Sequence, residues 1–159
     1  KQMSQEMNNT MSMMGGGSSI AEDAEMLRQI LDNLVTFSFK QERLYDGLSE
    51  GNFELDNFSA TIKEQNELRR LFEHVDDSLF ALSLRNPDVS EFVNEQITEV
   101  FYNIDGALDD IAQNRSYQGA SHQKYVVTAS NSLADYLAGM MDNMMMSMLS
   151  GQVLGQGDC

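Results

Sequence analysis

The residues in this chain whose types and spacing could do chemistry are its methionines. There are 12, and half of them fall within "MMDNMMMSML", Met140 to Leu149. Thioether sulfur is a soft ligand, and Met140, Met144 and Met148 recur one helical turn apart, a spacing that presents sulfurs side by side to Cu(I). Met3, Met7 and Met11 repeat that spacing near the other end, and Met14 continues their stripe. Neither run has a histidine or cysteine beside it to complete a soft-metal site. Methionine is also a flexible, polarizable gap-filler and a good helix former, so a helical stripe of it ordinarily packs. Left exposed, such a stripe is an adaptable apolar surface that repacks around different partners. The candidate partner-binding face is therefore Met3, Met7, Met11, Met14, Met140, Met141, Met144, Met145 and Met148, with no metal assigned to it.

Other reactive groups are sparse. His74 and His122 are the only histidines, and neither stands in the Glu-x-x-His spacing that sends two di-iron ligands into a bundle core. Asp105, Asp109 and Asp110 lie close together on one helix, as general acid/base work or a hard cation would require. With 25 acidic residues in the chain, such a cluster reads first as a solvated face. "DGLSEGNFELD" lacks the alternating ligands of a calcium loop and reads as a turn. The sequence has no glycine-rich phosphate loop, no GxSxG elbow and no zinc-type His/Cys cluster. The expectation is a protein that is not an enzyme, with no catalytic residues and no cofactor.

Charge narrows the partners. A formal net charge of −15 and a pI near 4.2 repel phosphate backbones and anionic lipid, which argues against nucleic acid. Arg69-Arg70 is the only adjacent basic pair. Cys159, the sole cysteine, cannot form an internal disulfide. No run of eighteen apolar residues and no signal peptide is present. Because the chain opens in mid-pattern, it reads as a piece of a longer polypeptide whose anchor lies outside it. Its expected partners are proteins: the rest of the parent chain, another copy or an envelope protein. Any membrane contact is expected only through that anchor.

The elements that must position these residues are helices. No Trp, a single Pro and abundant Ala, Leu, Met, Glu and Gln favour an all-α fold. The Met3-to-Met14 stripe predicts a short helix over 1–14, and "GGGSS" predicts a hinge over 15–19. Ser19 with Glu22 has capping-box spacing, and Ile20, Leu27, Ile30, Leu34, Phe37, Leu44 and Leu48 extend one buried face beyond it. After the glycines at 47 and 51, Phe58, Ile62, Leu68, Phe72, Val75, Leu79 and Leu82 define a second helix. Pro87 ends it, with Asp88 or Ser90 as the next cap. Phe92, Ile97, Val100, Phe101, Ile104, Leu108 and Ile111 define a third, where Gly106 implies a kink or a close helix contact. "RSYQGAS" predicts a turn with Gly119 as helix stop and Ser121 as cap, before a last helix carrying Tyr125, Ala129, Leu133, Leu137 and the methionines. Four helices of about 36 to 45 Å with short turns predict an antiparallel up-down four-helix bundle over 20–150, of coiled-coil character, with the short Met-rich helix before it and a flexible tail at 151–159. In such a bundle both Met stripes belong to one pole. There they either cap each other or stay open as a binding surface.

Three stretches also carry a resemblance: "AEDAEMLRQILDNLVTFSFKQERL" (Ala21 to Leu44), "LFALSLRNPDVSEFVNEQITEVFYNIDGALDDI" (Leu79 to Ile111) and "MMDNMMMSM". They resemble the soluble part of a family of large uncharacterised membrane proteins of Bacteroidetes, in which N-terminal transmembrane helices precede a long, helical, Gln/Met/Gly-rich portion. The resemblance covers most of the chain and implies a membrane-anchored envelope protein of the inner membrane; it leaves the side of the membrane open, with the periplasmic side favoured. It brings no active-site residues. The function expected from residues and resemblance together is a non-enzymatic structural or protein-interaction module, with a peptide or apolar-ligand binder as the alternative and Cu(I) handling third.

Overall fold

Buried positions three and four residues apart run through every helix of this chain. The computed structural model describes residues 16–50, 55–87, 89 and 91–157, in which four helices follow one another: α1 (Gly16–Ser49), α2 (Leu55–Arg85), α3 (Glu91–Ala112) and α4 (Ser116–Gly157). No strand occurs among the described residues. In α1 the buried series is Leu27, Ile30, Leu34, Phe37, Gln41, Leu44, Leu48; in α2 it is Thr61, Gln65, Leu68, Phe72, Val75, Leu79, Leu82. In α3 it is Val93, Ile97, Val100, Ile104, Ala107, Ile111; in α4 it is Gln123, Val126, Ser130, Leu133, Leu137. A strict repeat of 3.5 keeps each seam facing its neighbours and belongs to left-handed, coiled-coil-like packing.

Cross-helix pairs fix the direction of every neighbour. Gln41 meets Gln65 while Glu22 meets Arg85, so α1 and α2 run antiparallel. Arg69 with Asp105 and Phe72 with Phe101 do the same for α2 and α3, as do Phe92 with Tyr136 and Asn103 with His122 for α3 and α4. Ser38 bonds Asn131, and Leu48 shares a cluster with Ala120, so α4 closes antiparallel on α1. The backbones of diagonal helices do not approach one another among the described residues. The result is the all-α, up-down-up-down four-helix bundle that the periodicity predicts. Its centre is aromatic, with Phe72 between Phe37 and Phe101 at ring distances of 5.2 and 5.1 Å.

The ends differ from the sequence reading, each for a physical reason. Gly16 to Ser19 form the first turn of α1 where a hinge was expected, and Ser19 stands inside the helix instead of capping it. The first four amides of a helix have no intrahelical acceptors in any case, so glycine and serine cost least there. Gly119 and Ser121 are likewise inside α4, not a stop and a cap. The break falls earlier, at Asn114, whose φ of 67° is left-handed. Arg115 N donates to Asp110 O and Asn114 N to Ile111 O, a Schellman closure of α3. Gly119 serves close packing, because a Cβ there would lie 2.8 Å from Ile111. Residues 151–157, expected as a tail, continue α4: once a long helix is nucleated, adding a residue is cheap even where it is glycine. The predicted helix over 1–14 and the caps Asp88 and Ser90 lie outside the described residues.

The helices are also unequal. The 42 residues of α4 and the 22 of α3 correspond to about 63 and 33 Å at about 1.5 Å per residue.

Candidate functional site

That inequality creates the site. Tyr136 stacks on Phe92 near the start of α3, with ring centroids 5.1 Å apart, and α4 then runs on to Gly157 with α3 no longer beside it. Arg85, at the end of α2, pairs with Glu22 and Asp23 of α1, so α1 too extends past its neighbour. Among the described residues, only the first turns of α1 and the last part of α4 continue beyond this level. Leu137 is the last buried residue on α4 among the described side chains.

The methionines occupy this overhang in two ways. Met140, Met141 and Met144 are half-buried and pack against the main core cluster, prolonging the α4 seam. Met148 is half-buried as well. Met145, Met146 and Leu149 are 46%, 66% and 62% exposed. Of the expected face, the structure thus brings Met140, Met141, Met144, Met145 and Met148 onto one helical segment, while Met3, Met7, Met11 and Met14 lie outside the described residues. Met146 and Leu149 are off the stripe, and the spacing of apolar residues does not register that a helix outrunning its neighbours exposes a side a bundle would cover.

A groove of about 430 Å³ opens at the base of the overhang, lined by Ile20, Asn86, Tyr136, Met140, Asn143, Met144 and Ser147. Its walls are about equally polar and apolar, with Asn86, Asn143 and Ser147 beside Ile20, Tyr136, Met140 and Met144. From Tyr136 to Gly157 the only charged side chain is Asp142, on a chain of net charge −15. Gly139 faces open space, with nothing within 4 Å of the position its Cβ would take. The overhang is therefore nearly neutral, apolar and open on the side away from α1.

The acids named from sequence do not converge. Asp105 accepts from Arg69 Nε at 2.9 Å, and the same guanidinium pairs with Glu73 and lies 5.2 Å from the Phe101 ring. The hydrogen bond to Asp105 holds Arg69 above its usual value. Asp109 and Asp110 both turn to Arg115, Asp110 more closely at 2.8 Å. Among the described residues no group of three or more His, Cys, Asp or Glu is placed to hold a metal ion.

His122 does join a network. Asn103 Nδ2 donates to the Glu99 carbonyl, which leaves its Oδ1 to accept from His122 Nδ1 at 2.9 Å. His122 Nε2 lies 3.4 Å from Asp110. The ring rests directly over Gly106, where a Cβ would come within 2.8 Å of it, so Gly106 marks a close helix contact. These bonds go to an amide and a carboxylate, not to a hydroxyl or thiol that an imidazole could activate. Mechanically, the network buckles the end of α3 to α4.

Sequence reasoning also missed a polar layer at the centre. Gln41 and Gln65 exchange two hydrogen bonds of 3.0 and 2.7 Å, and Gln123 donates to Gln65 Oε1 at 3.0 Å. All three are fully buried. The signal that would have found them is the 3.5 repeat carried through polar residues without interruption.

The class defined by this arrangement is a heptad-patterned, antiparallel four-helix bundle with one overhanging, methionine-bearing helix. Comparison of the chain with protein-family models, with curated proteins and with solved structures finds no match in any of the three. No helix among the described residues is long and apolar enough to cross a membrane.

Proposed function

We propose that this chain is a non-enzymatic structural and protein-interaction module of a larger membrane-anchored envelope protein, and that it docks its partner through the overhang of α4. One observation carries the reading: the seams of all four helices are buried up to Leu137, whereas among the described residues the apolar segment after it has only α1 beside it. A nearly neutral apolar surface on an acidic protein marks where association is least opposed by charge. The resemblance of Ala21 to Leu44 and Leu79 to Ile111 to membrane-anchored envelope proteins supports the setting.

The test is capture from detergent-solubilised envelope extract by the intact chain and by a Met145→Ser, Met146→Ser, Leu149→Ser variant that keeps its helical circular dichroism. The captured protein is identified, purified and rebound at defined stoichiometry. Rebinding weakened about tenfold or more, as for an interface hot spot, supports the reading. Equal rebinding by the variant moves the interaction to the acidic faces of the bundle.

The groove beside Met140 and Met144 favours a second reading, a binder of apolar ligands or peptides. A fluorescent hydrophobic dye that binds the cooperatively folded chain, and is displaced when Met140 and Met144 are both changed to Lys, supports this alternative. A folded chain that leaves the dye in solution argues against it.

A further inference from the structure

We infer that Met145 and Met146 are a modification site for hydroperoxides, and that their two sulfoxides turn the exposed face of the overhang from apolar to polar while the bundle stays folded. The inference rests on the docking reading above only for its consequence, that an oxidised chain releases its partner.

Access selects these two sulfurs. Met145 and Met146 are exposed, whereas Met26, Met140, Met141 and Met144 are half-buried against the main core cluster, and Met148 is half-buried as well. An oxidant in water therefore meets the first pair without any opening of the structure, and the others mainly through local fluctuation. Charge selects the oxidant. From Tyr136 to Gly157 the only charged side chain is Asp142, on a chain of net charge −15. That field disfavours anionic oxidants and leaves a neutral hydroperoxide free to approach the overhang. The reaction transfers oxygen with two electrons. A sulfur lone pair takes the terminal peroxide oxygen, the O–O bond breaks, and the proton moves to the departing oxygen, which leaves as water or an alcohol. The thioether is oxidised to the sulfoxide and the hydroperoxide is reduced.

Spacing decides the effect. Leu149 follows Met145 by four residues and Met146 by three, so the three exposed side chains are helical neighbours and form one patch. A sulfoxide is polar and chiral where the thioether was apolar. Two of them leave Leu149 as the only apolar side chain of that patch. The fold does not depend on either sulfur, because Met140, Met141 and Met144 are the methionines of α4 that pack against the core. The change is also reversible: a methionine sulfoxide reductase returns the thioether at the expense of two thiols, which become a disulfide as water leaves.

The experiment treats the full chain with dilute hydrogen peroxide. Oxidation at each methionine is read by mass spectrometry, surface polarity by retention on a phenyl matrix, and stability by the urea midpoint. Met145 and Met146 are expected to oxidise about fivefold or more faster than Met140, Met141 and Met144. The chain oxidised at both should elute earlier from the phenyl matrix with its urea midpoint unchanged. A Met145→Leu, Met146→Leu variant keeps the patch apolar and should hold its elution position through the same treatment. A Met145→Gln, Met146→Gln variant should elute early without peroxide. Oxidation of Met140, Met141 and Met144 as fast as of Met145 and Met146 overturns the proposal. A fallen urea midpoint once only Met145 and Met146 are oxidised overturns it too, as does a shift in the leucine variant comparable to that of wild type. None of these readouts needs a partner, so their failure is separable from failure of the docking reading.

Discussion

Replacing Gln65 by leucine separates hydrogen-bond satisfaction from burial in this core. Gln65 Oε1 accepts from both Gln41 and Gln123, and its Nε2 donates to Gln41, so it is the hub of a layer that water does not reach. Gln65→Leu leaves three buried polar groups unpaired: both ends of the Gln41 amide and the Gln123 amide nitrogen. Each orphan costs about 1 to 3 kcal/mol, and burying leucine in place of an amide offsets about 1 to 2 kcal/mol of the sum. The net loss is about 1 to 8 kcal/mol. Gln41→Leu orphans only Gln65 Nε2 and costs less. Gln123→Leu orphans nothing and removes the Oε1 that has no partner, so it is close to neutral. The triple leucine variant has no polar group left to satisfy and regains what Gln65→Leu loses. The assay is urea unfolding followed by circular dichroism. With a slope of about 2 kcal/mol per molar, Gln65→Leu lowers the midpoint by about 0.5 M or more, and by about 4 M at the upper end. Equal costs for Gln65→Leu and Gln123→Leu, or a triple variant whose loss is the sum of the singles, would refute the reasoning.

Three further outcomes are expected. Gly106→Ala should lower stability in urea by about 1 to 2 kcal/mol, because the added methyl overlaps a His122 ring held by Asn103. In a His122→Ala background the same change should raise stability by about 1 kcal/mol, the ordinary helix preference of alanine over glycine. Asn114→Ala forces a Cβ residue without a local amide side chain into the left-handed region at φ 67° and should cost about 1 kcal/mol, read as a melting point lower by about 3 °C. Burial, and then the charge of Asp77, push the Asp76 carboxyl above its ordinary value of 3.8. Its charged form therefore weakens the fold at neutral pH, and the penalty is relieved as pH falls through the raised folded value, fully so below the unfolded one. Asp76→Asn should melt higher than wild type at about pH 7, with the two melting points converging below about pH 3.8.

The fold was legible wherever burial and hydrophobicity coincide. Leu27 to Leu48, Leu68 to Leu82 and Ile97 to Ile111 show the 3.5 repeat directly, and a chain with one proline and no strand pattern leaves little besides helices. Errors of one residue arose where two large residues adjoin. Phe92 was assigned to the seam, yet Val93 is buried and Phe92 is 38% exposed; Tyr125 was assigned where Val126 is. Size drew each assignment, whereas the heptad runs through the smaller neighbour. The buried glutamines were illegible because a polar residue enters the core only when its partners come from other helices, and that pairing is not local information. The turn after α3 was misplaced because Gly119 is needed for its missing Cβ, while Asn114 supplies the left-handed residue.

The candidate site was half legible, and the missing half is a matter of lengths. The methionine stripe shows that α4 has an apolar side after Leu137, but not that α3 starts only opposite Tyr136. A helix that overhangs its bundle is held by one neighbour instead of two, and Gly139, Gly151 and Gly155 each cost it about 1 kcal/mol relative to alanine. Contact with the core through Met140, Met141 and Met144 offsets part of this. The opposite side, with Met145, Met146 and Leu149, contributes nothing to the bundle while it faces water. Covering that side would convert three exposed apolar side chains into seam residues, at about 25 cal/mol for each Å² removed from water. Among the described residues no comparable uncovered length exists on α2 or α3, whose seams are buried from Thr61 to Leu82 and from Val93 to Ile111. Phe39, Phe80 and Leu84 are exposed too, each on a helix whose seam is buried, so the docking proposal rests on the uncovered length at one end of α4 more than on methionine content alone.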